Sequence, residues 1–427
     1  MADLHVSKKA AALAVTVLAV VAGTVVFWPE RERPATATPQ PSASASASYY
    51  NPEAEARADI KEVFDAQAKA LVAGDERGWL APLDPALHGR FRMLYRNLRT
   101  LEVSHAQIDF LFREYGESQV SVGVELGYCL SAVECPPWAS GAGFGPPKMF
   151  YTLSMARRDD SYVATAVEKS PLLNYLEPAP WQSADLRFLR GSRVIVAAPA
   201  TLTKQLPRVL RLAEKAAAVA DRFAAATGNP PKRYRVYLAD DKAWKTWYGG
   251  GQKKWVAGYH KSLNQSGSDL VLNAGKVLKS DRQLRETIQH EMGHAVTLLP
   301  TLDWADDDED WLVEGIAEYI GSAPAQAPNT GSASVLRRSF ARRGAPKSIA
   351  LPALTEKSDD LTVDTLYAHS HMATACLADR YGERKLLDFA YRVLRRGEEV
   401  DAASRTSFGK PFAGVDKACV AWIRKKI

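Results

Sequence analysis

Residues 287–296 read TIQHEMGHAV, and the reading of this stretch decides the fold of the C-terminal half. On an α-helix, residues four apart lie nearly above one another on one face. His290 and His294 therefore present two imidazoles to one metal ion. Glu291 is turned to the side of that pair, where it reaches a metal-bound water without itself ligating. Neutral nitrogen donors and an open position suit tetrahedral zinc. The chain has only eight histidines, so composition alone does not account for two of them at this spacing.

Two donors leave the site incomplete, and the segment WLVEGIAEYI, beginning at Trp311, supplies a third. Glu314 follows His294 after nineteen intervening residues, and Glu318 lies four further on, on the same helical face. A carboxylate aimed at a metal and a second one a turn away match a zinc site with outer support. Between the two segments, DWADDDED (303–310) reads as a solvated loop without the spacing of a calcium-binding EF-hand.

HEMGH followed at this distance by WLVEGIAEY resembles the gluzincin clan of zinc metallopeptidases, in particular the peptidase MA-like domains. It is also similar to the WL-x-EG-x-A segment of zinc aminopeptidases. The likeness continues into LYAHSHMATACLADRYGERKLLDFAYRVLRRG and covers about residues 190–427. The resemblance implies an α+β, zincin-like metallopeptidase domain: a mixed sheet, an active-site helix and a helical C-terminal lobe. It implies one Zn2+ per chain held by His290, His294 and Glu314, with Glu291 as general base and Glu318 orienting a ligand histidine, His290. Tyr367 matches a family tyrosine that donates a hydrogen bond to a developing oxyanion, with His369 and His371 as rivals. The strand LVLNAG, just before the motif helix, would be the sheet edge that pairs with an extended peptide. The activity implied is hydrolysis of a peptide or protein substrate through a zinc-activated water.

The elements upstream fit that order. SRVIVAAP, YRVYLAD, WVAGYH and DLVLNAG are strand candidates, and LPRVLRLAEKAAAVADRFAAATG is a long helix ending at Gly228. The Gly249-Gly250-Gly251 run reads as a flexible loop and lacks the P-loop lysine pattern. Before the Pro-rich segment SPLLNYLEPAPWQS, taken as a boundary, helical spacing covers 53–73 and about 86–98. Three or four alternating, strand-like runs follow: IDFLFREYG, SQVSVGVELGYCL, KMFYTLSMA and YVATAVEK. Helices followed by antiparallel strands indicate an α+β domain over 51–178, whose element order resembles the NTF2-like fold. The metallopeptidase domain then spans 181–427. His88 and His105 are isolated and point to no catalysis in the first domain.

Residues 10–28, AAALAVTVLAVVAGTVVFW, are uncharged and long enough to cross a hydrocarbon core of about 30 Å as a helix. Lys8 and Lys9 favour a cytoplasmic N-terminus over residues 1–9. The expectation is one transmembrane helix, with a cleaved signal as the alternative, followed by a flexible Pro/Ala/Ser linker over 29–50. The remaining chain would then be membrane-tethered and extracytoplasmic, or secreted if the segment is cleaved. In such a compartment thiols pair. Cys129 and Cys135 flank a five-residue loop that suits a local disulfide, which leaves Cys376 and Cys419 to tie two C-terminal helices, or Cys376 as a buried thiol.

Hydrophobic residues make up 46% and charged residues 24%, an ordinary globular balance, and the net charge of +6 is small for 427 residues. Basic stretches such as RRSFARR are offset by acidic ones, with no basic stripe interleaved with aromatics, so nucleic acid is not an expected partner. The competing function is a catalytically inactive peptidase fold that acts as a cell-envelope binding or regulatory module.

Overall fold

The run Val194–Ala198, VIVAA, has no polar residue and every side chain in it is buried, as for a strand covered on both faces. It is β6 of a five-stranded sheet in the order β5-β6-β7-β9-β8, where β5 is Arg187–Arg190, β7 Tyr234–Ala239, β8 Gly258–Ser262 and β9 Ser268–Asn273. β6, β7 and β9 run parallel, while β5 and β8 are antiparallel to their neighbours. The structure, a computed structural model, describes residues 51–131, 134–138, 145–168, 176–228, 230–298 and 309–427. The expected membrane segment 10–28, the 29–50 linker and most of DWADDDED lie outside them. Among the described residues no helix is long and apolar enough to cross a membrane.

Strand alternation sends successive side chains to opposite faces, and here both faces find a core. Val194, Val196, Val236, Leu238, Leu270 and Leu272 point to one side. They pack against the helix Leu206–Thr227 and against the motif helix, Asp281–Thr297. Ile195, Ala197, Tyr237, Ala239 and Val271 point to the other side and join the core of the N-terminal region.

That N-terminal region follows the expected order. Pro52–Ala73 is a helix, N-capped by the Asn51 side chain and closed by Gly74 in a left-handed conformation. The helices Glu76–Leu80 and His88–Thr100 come next. An antiparallel sheet β1-β2-β3-β4 completes it, formed by Val103–Tyr115, Gln119–Leu130, Lys148–Arg158 and Ser161–Glu168. Phe64 from the first helix meets Phe110 of β1 edge-on, with ring centroids 5.4 Å apart.

The described end of the Pro-rich segment read as a boundary is pinned rather than free. Trp181 is fully buried and meets Tyr128 of β2 edge-on at 5.0 Å. Asn97 donates to the carbonyls of Trp181 and Ala184, both at 2.8 Å. Residues Asn51–Ile427 accordingly form one compact unit.

One sequence expectation is overturned by the strand order. LVLNAG does not lie at the sheet edge: β9 is enclosed between β7 and β8. After β7 the chain passes outward to β8, then reverses through Asn264 and Gly267, both with positive φ, and returns as β9 on the inside. The edge beside the motif helix is therefore β8, the WVAGYH region.

The C-terminal lobe is helical, built from Asp310–Ser322, Gly331–Arg343, Asp360–Tyr381, Glu383–Arg396, Val400–Phe408 and Phe412–Lys426. Both cysteine pairs are disulfides: Cys129–Cys135 closes the local loop, and Cys376–Cys419 joins the helices Asp360–Tyr381 and Phe412–Lys426.

Candidate metal centre

The motif helix starts at Ser280, whose side chain accepts the Gln283 N–H at 3.1 Å. It crosses the glutamate helix, Asp310–Ser322, at small residues. A Cβ at Gly293 would lie 3.2 Å from Ala317 Cα, and one at Gly321 would lie 3.1 Å from His290 Cβ. Gln289 fastens the same crossing, donating to the carbonyls of Ile320 at 2.6 Å and Ala323 at 2.9 Å.

This close approach brings three donor atoms together. His290 Nε2 and His294 Nε2 are 3.1 Å apart, and Glu314 Oε2 is 3.3 Å from the first and 3.7 Å from the second. Ligand atoms about 2.0–2.1 Å from a tetrahedral ion stand roughly 3.3 Å apart, so the spacing fits such an ion. Apart from these two imidazole contacts, Glu314 Oε2 is buried with no well-aligned hydrogen bond among the described residues, as expected of an oxygen aimed at a cation. Among the described residues this is the group of three that could hold a metal. Behind it, Glu318 Oε1 lies 3.1 Å from His290 Nδ1.

The electrostatics favour a cation. Burial alone would discharge His290, yet its contacts with Glu314 and Glu318 hold its pKa well above the usual value. Burial likewise opposes charge on Glu314 and Glu318, but the imidazole contacts outweigh it and hold both carboxyls low. These directions favour ionised carboxylates, the form that ligates a cation, and metal binding competes with the proton on His290. Glu291, 4% exposed, is raised by burial against the pull of both histidines. Its carboxylate lies against β8, where a Cβ at Gly258 would come within 3.0 Å of Glu291 Oε1.

A cleft of about 280 Å³ opens at this point, lined among others by Trp255, Gly258, His290, Glu291, Glu318 and Tyr367. Tyr367 comes from the helix Asp360–Tyr381, its ring centroid 6.3 Å from that of His290. Burial and the nearby carboxylates raise its pKa well above the usual value, so the phenol keeps its proton and can donate. The rivals His369 and His371 are both buried and neither lines the cleft. His369 packs near Phe340, and burial pushes its pKa down to about 4. His371 Nδ1 sits 3.0 Å from Ser332 Oγ.

Sequence reading missed Gln289, Gly258 and His260. His260, on β8, has its ring centroid 6.3 Å from that of His294, and burial pushes its pKa down to about 3. The signal for Gln289 was present, one position before the first histidine, but helical spacing does not say which neighbour a side chain will meet.

Gly315 explains the glycine beside Glu314. A Cβ there would fall 2.7 Å from the Ser370 carbonyl oxygen, on the tyrosine-bearing helix. Thr374 Oγ1 also donates to the Gly315 carbonyl at 2.9 Å. Alanine would gain about 1 kcal/mol in helix propensity, but overpacking against backbone costs roughly 1–3 kcal/mol and moves the helix that carries Glu314. Gly315→Ala should therefore lower both the melting temperature and the metal affinity. Unchanged values in both would show that the two helices separate freely.

Compared with known proteins, the chain matches no family model and no curated sequence.

Proposed function

We propose that this chain is a zinc-dependent peptidase of the gluzincin kind. In this reading it has a zincin-like catalytic half, an NTF2-like α+β region before it, and a membrane tether at residues 10–28. The observation that carries the reading is the donor triangle of His290, His294 and Glu314, with Glu291 beside it in an open cleft and Glu318 behind His290. Two disulfides support a place outside the cytosol.

Zinc held by the two Nε2 atoms and a Glu314 oxygen would supply a Lewis acid that polarises a carbonyl and lowers the pKa of a water. The protein's own groups do the rest. Glu291 takes the proton of the attacking water on a carboxylate oxygen and passes it to the leaving amine. The Tyr367 phenol donates to the carbonyl oxygen as negative charge grows there. Glu318 holds the Nδ1–H of His290 and so fixes which nitrogen is free to ligate. β8, whose outer edge carries no strand among the described residues, offers backbone N–H and C=O groups to an extended peptide.

Metal analysis and peptide cleavage by the purified chain test the reading together. One zinc per chain is expected. A chelator should remove the zinc and the peptidase activity together, and added zinc should restore both. Absence of bound metal at neutral pH would instead favour a binding or regulatory module.

A further inference from the structure

The two ligand imidazoles are not supported alike. His290 Nδ1 faces Glu318 at 3.1 Å, whereas His294 Nδ1 is buried with no hydrogen-bond partner among the described residues. A neutral imidazole that ligates through Nε2 carries its proton on Nδ1, and that proton needs an acceptor. The neighbouring ring on β8 is His260, whose Nε2 is also buried and has no hydrogen-bond partner among the described residues.

Strand register puts the two rings together. Residues 258 and 260 share one face of β8. Gly258 lies against Glu291, and His260, one two-residue step of about 6.7 Å further, comes beside His294, about one helical turn along the motif helix. The ring centroids are 6.3 Å apart and the ring planes 43° apart. With each nitrogen about 1.1 Å from its centroid, facing nitrogens come no closer than roughly 4 Å, beyond a direct hydrogen bond but within the span of one bridging water. A water there would have both orphaned nitrogens as partners, the lower end of the two to four that hold a buried water.

We propose that His260 is a positioning residue for the metal centre. Through one buried water, His294 Nδ1–H is linked to His260 Nε2, which fixes the tautomer and ring orientation of the second ligand as Glu318 does for the first. This inference rests on the reading of His290, His294 and Glu314 as a zinc site. It also places metal support and the free sheet edge on the same five-residue strand.

The test is zinc affinity of the full chain, measured by competition with a chromophoric chelator, alongside the melting temperature of the metal-free protein. His260→Phe keeps the ring volume and removes the acceptor. It should weaken zinc binding about 10- to 100-fold and leave the metal-free melting temperature little changed. His260→Gln, which keeps an acceptor, should return affinity to within a few-fold of wild type. Wild-type affinity in His260→Phe, or a loss in His260→Gln equal to that in His260→Phe, would overturn the proposal. A wild-type chain that binds no zinc, or a His290→Ala variant that binds it as tightly, would sink the peptidase reading instead. If His260→Phe does not fold, the zinc-loaded wild type with 15N-labelled histidine decides. The Nδ1–H of His294 should exchange slowly, and exchange as fast as that of a surface histidine would overturn the proposal.

Discussion

Glu291→Gln is expected to lower kcat/KM for peptide cleavage by about 10²- to 10⁴-fold, the usual contribution of a positioned general base, while one zinc per chain stays bound. The two effects separate because Glu291 is not one of the three clustered donors; its carboxylate lies beside them, against β8 at Gly258. Glutamine keeps the length and the planar end group, so it fits the same space beside Gly258 and little stability should be lost. What disappears is the capacity to accept a proton. Burial raises the Glu291 pKa, and the neighbouring imidazoles pull it back. A carboxylate held in that balance is a stronger base than an exposed one would be. Full activity in Glu291→Gln would exclude the assigned mechanism. Loss of zinc together with activity would show that Glu291 is a ligand instead. Metal analysis and kinetics on one preparation distinguish these results.

The site was legible in the sequence to the extent that helix geometry controls it. Four-residue spacing put His290 over His294 and Glu314 over Glu318, and the structure brings both pairs to one place. Helix ends at Gly74 and Gly228 and the alternation of β1 to β4 were readable for the same reason: the signal is local. Spatial strand order is not local. LVLNAG immediately precedes the motif helix, which made it look like the edge, but nothing in its periodicity says that WVAGYH folds outside it. The shared core does have a local sign. VIVAA is apolar along its full length, a run that needs a layer on each face of the sheet, and the N-terminal region is the second layer. His260 left no sign, because a single histidine on a short strand has no spacing to interpret.

Asp269→Ala is expected to cost about 3–5 kcal/mol of stability, the penalty for leaving a buried charge without its partner. Arg235 of β7 and Asp269 of β9 are direct neighbours in the parallel register, 1% and 0% exposed, with Arg235 Nε 2.5 Å from Asp269 Oδ1. They lie on the sheet face that meets the N-terminal region: Arg235 Nη1 reaches Ser131 Oγ at 3.3 Å, in the loop closed by Cys129–Cys135. The other carboxylate oxygen accepts from the Tyr248 hydroxyl at 2.5 Å. Tyr248 sits at φ 52°, ψ 39°, a left-handed conformation that costs a side-chain-bearing residue of order 1–3 kcal/mol unless its surroundings impose it. Removing Asp269 therefore strands a guanidinium that burial already disfavours and releases a strained tyrosine just before the Gly249–Gly251 loop. At roughly 1.3 °C per kcal/mol for a unit as large as Asn51–Ile427, the melting temperature should fall by about 4–6 °C. The double variant Arg235→Met/Asp269→Leu separates charge burial from packing. It removes both charges and fills the space, so it should recover most of the loss. A double variant as unstable as Asp269→Ala would place the cost in the hydrogen bonds to Tyr248 and Ser131 and not in the unpaired charge. An Asp269→Ala melting temperature equal to wild type would show that water reaches the pair and that the two regions are not joined through it.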